Sequence, residues 1–353
     1  MEARVKPGPH EIRLARAGNP KMRERDLAAQ LGISEAELVA AHCGDGVQRI
    51  EPRVNDLLAG LEAVGEVMAL TRNESAVHEK IGIYDKVVTG DQNAMVLGEN
   101  IDLRIFPKIW AHGFAVEKRD GDEIRRSLQF FDASGEAVHK VHLRPASSLD
   151  AYQKLVAALS STDQSESVAA EPVEDREGPE SPPSAGAFDD LRERWSKLTD
   201  VHQFFGMLRS LKLSRRQAVR MVGQDYAWQI DNDAVTAMFS HAAQGAIPIM
   251  CFVGNRGCIQ IHSGPVQNIK AVGPWINVLD ETFHLHLRAD HIAEAWAVRK
   301  PTKDGHVTSL EAYGADGKMI IQFFGKRHEG QGERDDWRFL AENVPRIPRS
   351  TAA

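Results

Sequence analysis

RRSLQFFDASGEAVHKVHL at residues 125–143 and TSLEAYGADGKMIIQFFG at 308–325 decide the fold. Each is a β-rich run, a short turn with a glycine at its end (DASGE, GADGK) and a second β-rich run, the pattern of a hairpin. The turns lie at the same place in two longer stretches. Extended outward without a gap, residues 65–144 align with 247–326 and share 16 identities in 80 positions. Met68, Asn73, Gly82, Lys118, Ser127 and Gly135 meet Met250, Asn255, Gly264, Lys300, Ser309 and Gly317. A period this long signifies duplication of a whole domain, not an array of small repeats.

Each copy reads helical first and stranded afterwards. Arg25 to Gly32 and Ser34 to Ala41 have the spacing of two short helices. Arg192 to Gly223 has that of two longer ones, with Thr199 or Asp200 as N-cap. Short runs such as AMVLG, IDLRIF and HGFAVEKR, and PIMCFVG, CIQIHSG and FHLHLR in the second copy, then read as strands. A helix ends each copy, over Leu149–Leu159 and Asp335–Asn343. The expected fold is α+β: a tandem duplication of a meandering antiparallel sheet flanked by helices.

The segment STDQSESVAAEPVEDREGPESPPSAGA, running to Ala187, holds seven acids, one arginine and no aromatic residue. It cannot bury enough apolar surface to offset its ordering entropy, so a disordered acidic linker is expected at 160–187, between domains at 1–159 and 188–353. Most of the net charge of −7 belongs to it, leaving two nearly neutral domains. Three cysteines without a CxxC or a Cys/His finger spacing support neither a disulfide framework nor a structural zinc site. No apolar run is long enough to span a bilayer and no secretory signal pattern opens the chain, so a cytoplasmic protein without membrane insertion is expected.

Just after the linker, LRERWSKLTDVHQFFGMLRSLKLSRRQAVRMV carries the residues of greatest chemical interest. Val201, Phe204, Phe205, Leu208 and Leu211 fall at helical spacing as an apolar face, with His202 at its border. Arg104, Arg215, Lys300 and Arg327 supply cations elsewhere; aromatic lining with charge-assisted donors suits a flat dianionic ligand with an apolar body. His284 and His286 share one strand face, yet no third ligand stands at a telling spacing.

LTRNESAVHEKIG (70–82), NIDLRIF (100–106), TDVHQFFGML (199–208) and QFFGKR (322–327) resemble the haem-utilisation family of Gram-negative bacteria, its hemin-degrading factors and cytoplasmic haem-transport proteins. The resemblance covers the chain outside the linker. It implies a tandem α+β fold with haem as ligand, His202 as the axial ligand of the haem iron and Arg104 as the distal and, in an enzyme, catalytic arginine. Further pocket residues implied are Arg215, Lys300, Gln322, Phe324 and Arg327, with Phe324 standing where tyrosine is common in the family. His78, in an unusually polar segment, has two readings: a second, looser haem site in the first half, or a structural or exposed histidine, the second being favoured. The function implied is haem uptake and iron acquisition, by passing haem to a haem oxygenase, by opening the ring as a haem-degrading oxidoreductase, or both. An electron donor would then be a partner, and an inner-membrane haem importer the upstream donor.

A reading from another class competes. RDLAAQLGISEAELVAAHCG (25–44) has the outline of a helix-turn-helix, and seven basic and three acidic side chains precede or open it. A DNA-binding regulator with haem as effector would use it, although Glu35 and Glu37 stand where a recognition helix needs donors.

Overall fold

A computed structural model of the chain describes residues 6–171, 182–184, 186–327 and 330–347. Two compact units divide it, and the division does not follow the chain cleanly. Residues 73–78 belong with the second unit and 254–260 with the first.

In the first unit the strands Val47–Ile50, His112–Asp120, Glu123–Phe131, Ala137–Leu143 and Val67–Arg72 pair in that order, all antiparallel. The second unit repeats the order with Ala227–Ile230, Glu294–Thr302, Gly305–Tyr313, Met319–Gly325 and Ile249–Gly254. A register shift falls at the corresponding place in each, between Phe130 and Phe131 and between Ala312 and Tyr313. Both hairpin turns close on a glycine at φ 82°, Gly135 and Gly317, a backbone conformation that a side chain would strain. A smaller antiparallel ladder accompanies each set: Val87–Val88, Ala94–Leu97 and Asp102–Ile105 in the first unit, Ile269–Val272, Trp275–Leu279 and Phe283–Arg288 in the second.

Helices close the cores. Leu149–Leu159, capped by the Ser148 hydroxyl accepting from Ala151 N, buries Tyr152, Leu155 and Leu159, and Asp335–Asn343 buries Trp337, Leu340 and Ala341. Both have the expected bounds. Val54–Val64 and Ala234–Gln244 are equivalent helices not expected from the sequence, although each buries residues at helical spacing: Val54, Leu57, Leu58, Leu61 and Val64 in the first, Ala234, Val235, Met238, Phe239 and Ala242 in the second. The short helices near the start are Glu24–Leu31 and Glu35–Ala40, close to expectation, with Pro9–Gly18 before them.

Three expectations need correction. Arg192 to Gly223 forms parts of three helices, Ala187–Ser196, Gln203–Leu211 and Arg215–Met221, because the chain turns at 197–202 and again at Lys212, which adopts φ 53°. Neither Thr199 nor Asp200 is the N-cap; that position is His202. The third concerns the acidic segment. Its first twelve residues are bonded to the first unit: Arg49 donates to Asp163, Ser165 and Ser167, Glu171 N donates to Ala133 O, and Val168 is buried beside Phe114. Arg49, half-buried on the edge strand Val47–Ile50 with its own charge to satisfy, is what the compositional argument could not see. Residues 172–181 and 185 lie outside the described residues.

Candidate haem site

His202 stands at the start of the helix Gln203–Leu211 with its side chain 92% exposed. The Asp200 carboxylate accepts from His202 N at 2.7 Å and meets the ring Nδ1 at 2.7 Å. Those two bonds, backbone first, hold the Asp200 carboxyl below its usual range, with a smaller contribution from the charge of Arg327. With Nδ1 engaged, Nε2 is the outward atom, and a carboxylate behind an imidazole fixes both tautomer and orientation.

The apolar face divides on folding. Phe204 and Leu208 turn inward with Met207, Val201 and Leu211 are half-buried, and Phe205 is 60% exposed. Phe204 packs edge-on against Trp195 at 4.8 Å. Its ring is also faced by Lys300 Nζ at 4.7 Å and by the Arg215 guanidinium at 5.2 Å; the same guanidinium lies 5.7 Å from Phe205.

Arg215, Lys300 and Gln322 converge, but on one another's partner: the buried carboxylate of Glu311. It accepts from Arg215 Nε at 2.8 Å and Nη2 at 2.6 Å, Lys300 Nζ at 3.2 Å, Gln322 Nε2 at 2.9 Å, Ser309 Oγ at 2.7 Å and Tyr313 Oη at 2.6 Å. Burial alone would raise the Glu311 carboxyl, yet Arg215 and Lys300 hold it well below the carboxylate range. Burial lowers Lys300 to about 8, against the opposing pull of Glu311. Glu311 and Tyr313 were not expected at the site; the first copy has Gln129 and Phe131 at the equivalent positions.

Phe324 is half-buried and packs on Phe252, rings 5.3 Å apart. Arg104 lies in the first unit, paired with Asp102 and donating to Leu103 O at 3.1 Å. His78 takes its structural reading: it is fully buried, its ring 4.9 Å from Phe283, on which His262 also stacks in parallel at 3.9 Å. A ring enclosed in this way presents no surface to a second haem. Among the described residues no group of three or more His, Cys, Asp or Glu is placed to hold a bare metal ion; His286 Nδ1 meets Asn277 Oδ1 at 2.6 Å.

The corresponding face of the first unit has its charges inverted. Its helix starting after Ser34 matches the one after Ser214, each opened by a reciprocal capping box, so Glu35 stands where Arg215 stands. Lys140 replaces Gln322, and Glu35 is bonded to Lys140 and Arg72. Glu35 at 3% exposure also ends the helix-turn-helix reading, because the six-residue second helix is buried through Ala36, Leu38, Val39 and Ala40 and has no face for a groove.

The haemin-degrading HemS.ChuX domain matches twice, over residues 32–159 and 212–344. The chain belongs to this haemin-degrading family. Hemin transport protein HemS of Yersinia enterocolitica is 43% identical over 325 residues, covering 92% of this chain and 93% of its own. Holo-PhuS, a heme-binding protein from Pseudomonas aeruginosa, is 42% identical with a TM-score of 0.90, covering 97% and 100%. ChuS, an E. coli heme oxygenase, is 36% identical with a TM-score of 0.84, covering 93% and 97%. Both halves of the duplication are thus copies of the HemS.ChuX domain, and none of these relatives is a DNA-binding regulator. Among the described residues no helix is long and apolar enough to cross a membrane.

Proposed function

We propose that this protein binds haem through His202 and serves haem uptake and iron acquisition in the cytoplasm. The observation that carries the reading is the His202–Asp200 pair: an exposed imidazole whose Nδ1 is engaged, leaving Nε2 for iron, with the exposed Phe205 three residues on. Neutral imidazole is a good axial ligand, and a single histidine leaves the opposite face of the iron open. Phe205 offers apolar surface to a porphyrin, while Arg215 and Arg327 supply cations for its carboxylates. Gln322 and Phe324 line the same sheet. Arg104 is the distal guanidinium, permanently charged and able to donate to an anionic species.

The relatives include a transport protein and an oxygenase by name. Accordingly the protein either passes haem to a haem oxygenase, having received it from an inner-membrane importer, or opens the ring with an electron donor. Haem-loaded protein treated with a reductant in the presence of catalase separates the two. Bile pigment with released iron marks the enzyme; intact haem that moves to an added oxygenase marks the carrier. Failure to bind haem at all contradicts both.

A further inference from the structure

The cluster around Glu311 joins four elements of the second unit. Arg215 comes from the helix Arg215–Met221, Lys300 from the strand Glu294–Thr302, Ser309 and Tyr313 from the strand of Glu311 itself, and Gln322 from the strand Met319–Gly325. Among its ionisable members two are cations and one a carboxylate, with the Tyr313 hydroxyl neutral, since burial raises it well above its usual value. The nearby Arg220 donates both its Nε and Nη2 to Glu294, and Arg216 also lies toward that carboxylate. The cluster therefore carries one positive charge in excess.

Its members differ in access. Lys300 is 3% exposed and lies beneath the Phe204 ring, so it reaches no ligand without displacing that ring. Arg215 is partly exposed; it bonds Glu311 through one edge of its fork, Nε and Nη2, and also meets the Tyr313 hydroxyl. The remaining edge of a guanidinium, Nη1, still has donors to offer.

We propose that Glu311 is a positioning residue for carboxylate recognition: it aligns the Arg215 fork and keeps Lys300 charged beneath it, so that the site presents one excess positive charge to one ligand carboxylate. This rests on the haem reading of the site and adds a residue and a division of labour to it. Arg215 touches the ligand; Lys300 acts through the field it adds from below. Without Glu311, a buried ammonium loses its counter-ion and becomes neutral at lower pH, and the guanidinium loses the bidentate bond that aims it. The first copy lacks the device, because Gln129 replaces the carboxylate and Glu35 replaces the arginine.

The test uses iron-free protoporphyrin IX and its dimethyl ester, titrated into the full-length protein by fluorescence, so that His202 ligation plays no part. The wild type should prefer the diacid to the ester, with the preference declining as pH rises through about 8, where Lys300 loses its proton. Glu311→Gln should weaken diacid binding by about tenfold or more, the scale of one charge-assisted bond, with ester binding unchanged. The pH decline should move lower, and Glu311→Asp should restore part of the preference. Should Glu311→Gln fail to fold, Lys300→Gln, which leaves Glu311 paired with Arg215, should abolish the pH decline while retaining ester binding. A folded Glu311→Gln protein with the wild-type acid-to-ester ratio and pH profile overturns the proposal, as does a Lys300→Gln protein with the wild-type decline. Failure of the wild type to bind ferric haem overturns the haem reading and this proposal together; binding of ferric haem without binding of either iron-free porphyrin overturns this proposal alone.

Discussion

Asn73 and Asn255 hold the same position in the two copies, and each amide donates to a strand from the other half of the sequence. Asn73 Nδ2 bonds Ile320 O at 2.8 Å and Asn255 Nδ2 bonds Val138 O at 2.8 Å; Val138 and Ile320 are themselves equivalent. Each side-chain oxygen meanwhile accepts two backbone N–H groups of its own turn, from Ser75 and Ala76 or from Gly257 and Cys258. The asparagine that shapes each turn thus also anchors it. This is why an identity at this position survives when most of the alignment has diverged.

Asn255→Ala should destabilise the protein by about 2–4 kcal/mol, since several backbone groups lose partners while little volume is removed. Asn255→Asp keeps the accepting oxygen but aims a charge at the Arg72 and Val138 carbonyls, and should cost at least as much. Urea denaturation checks both; losses under about 0.5 kcal/mol, the range of a neutral surface change, would show that the anchor is incidental.

A fragment ending at residue 171 should not complete the first unit. It lacks Cys258, buried in that unit's core, and Gly257, whose carbonyl accepts from Trp110 Nε1 at 3.0 Å and from Phe106 N at 3.0 Å. The sequence division into 1–159 and 188–353 predicts two self-sufficient halves; the exchanged segments predict poor near-UV circular dichroism and rapid proteolysis of the isolated first half. A fragment with cooperative unfolding would contradict this.

Acid should destabilise the first unit through its buried histidines. Burial lowers His139, bonded to the hydroxyls of Thr71 and Tyr84, to about 3, and burial with the charges of Lys140 and Lys118 lowers His142 to about 4. Both folded values lie below the ordinary 6.5, so the unfolded chain gains protons that the folded chain refuses. Stability is therefore full above about 6.5 and falls as pH drops, by about 1.4 kcal/mol per pH unit for each excluded proton. Urea midpoints at pH 7 and pH 5 measure the slope, which His139→Gln should flatten. Equal midpoints for the wild type would contradict the burial.

Much of the fold was legible because the repeat is carried by residues with local backbone roles. Gly135 and Gly317 mark the turns, and the helices Leu149–Leu159 and Asp335–Asn343 carry ordinary start signals. The exchange of residues 73–78 and 254–260 was not legible, since strand partners far apart in sequence leave no local pattern. At the site, the sequence placed His202 at the border of an aromatic face and named Arg215 and Lys300 among the cations nearby in the fold. Missing were Asp200 as the group that orients the ring and Glu311 as the hub, because a buried carboxylate on a strand reads from sequence like any surface acid. His78 takes the structural of its two readings, since folding places it against Phe283 despite its polar neighbours in sequence.

Arg104→Ala should leave haem bound, because its bonds among the described residues are to Asp102 and Leu103. If Arg104 is the distal group, reductant-dependent ring opening should slow by more than affinity falls, and Arg104→Lys should restore it only in part, lacking the planar fork. Single-turnover bile pigment formation beside a haem titration checks this. Equal rates for variant and wild type would assign Arg104 to packing.

Titration with ferric haem, followed by the Soret band, tests the central claim most directly by comparing wild type with His202→Ala and His78→Ala. The account predicts one haem per chain with a histidine-ligated spectrum, lost or strongly shifted in His202→Ala. In His78→Ala, whose native ring is fully buried, the spectrum and stoichiometry should persist even where stability falls. An unchanged spectrum in His202→Ala, or equal spectral losses in the two folded variants, would contradict the assignment of His202 as the axial ligand.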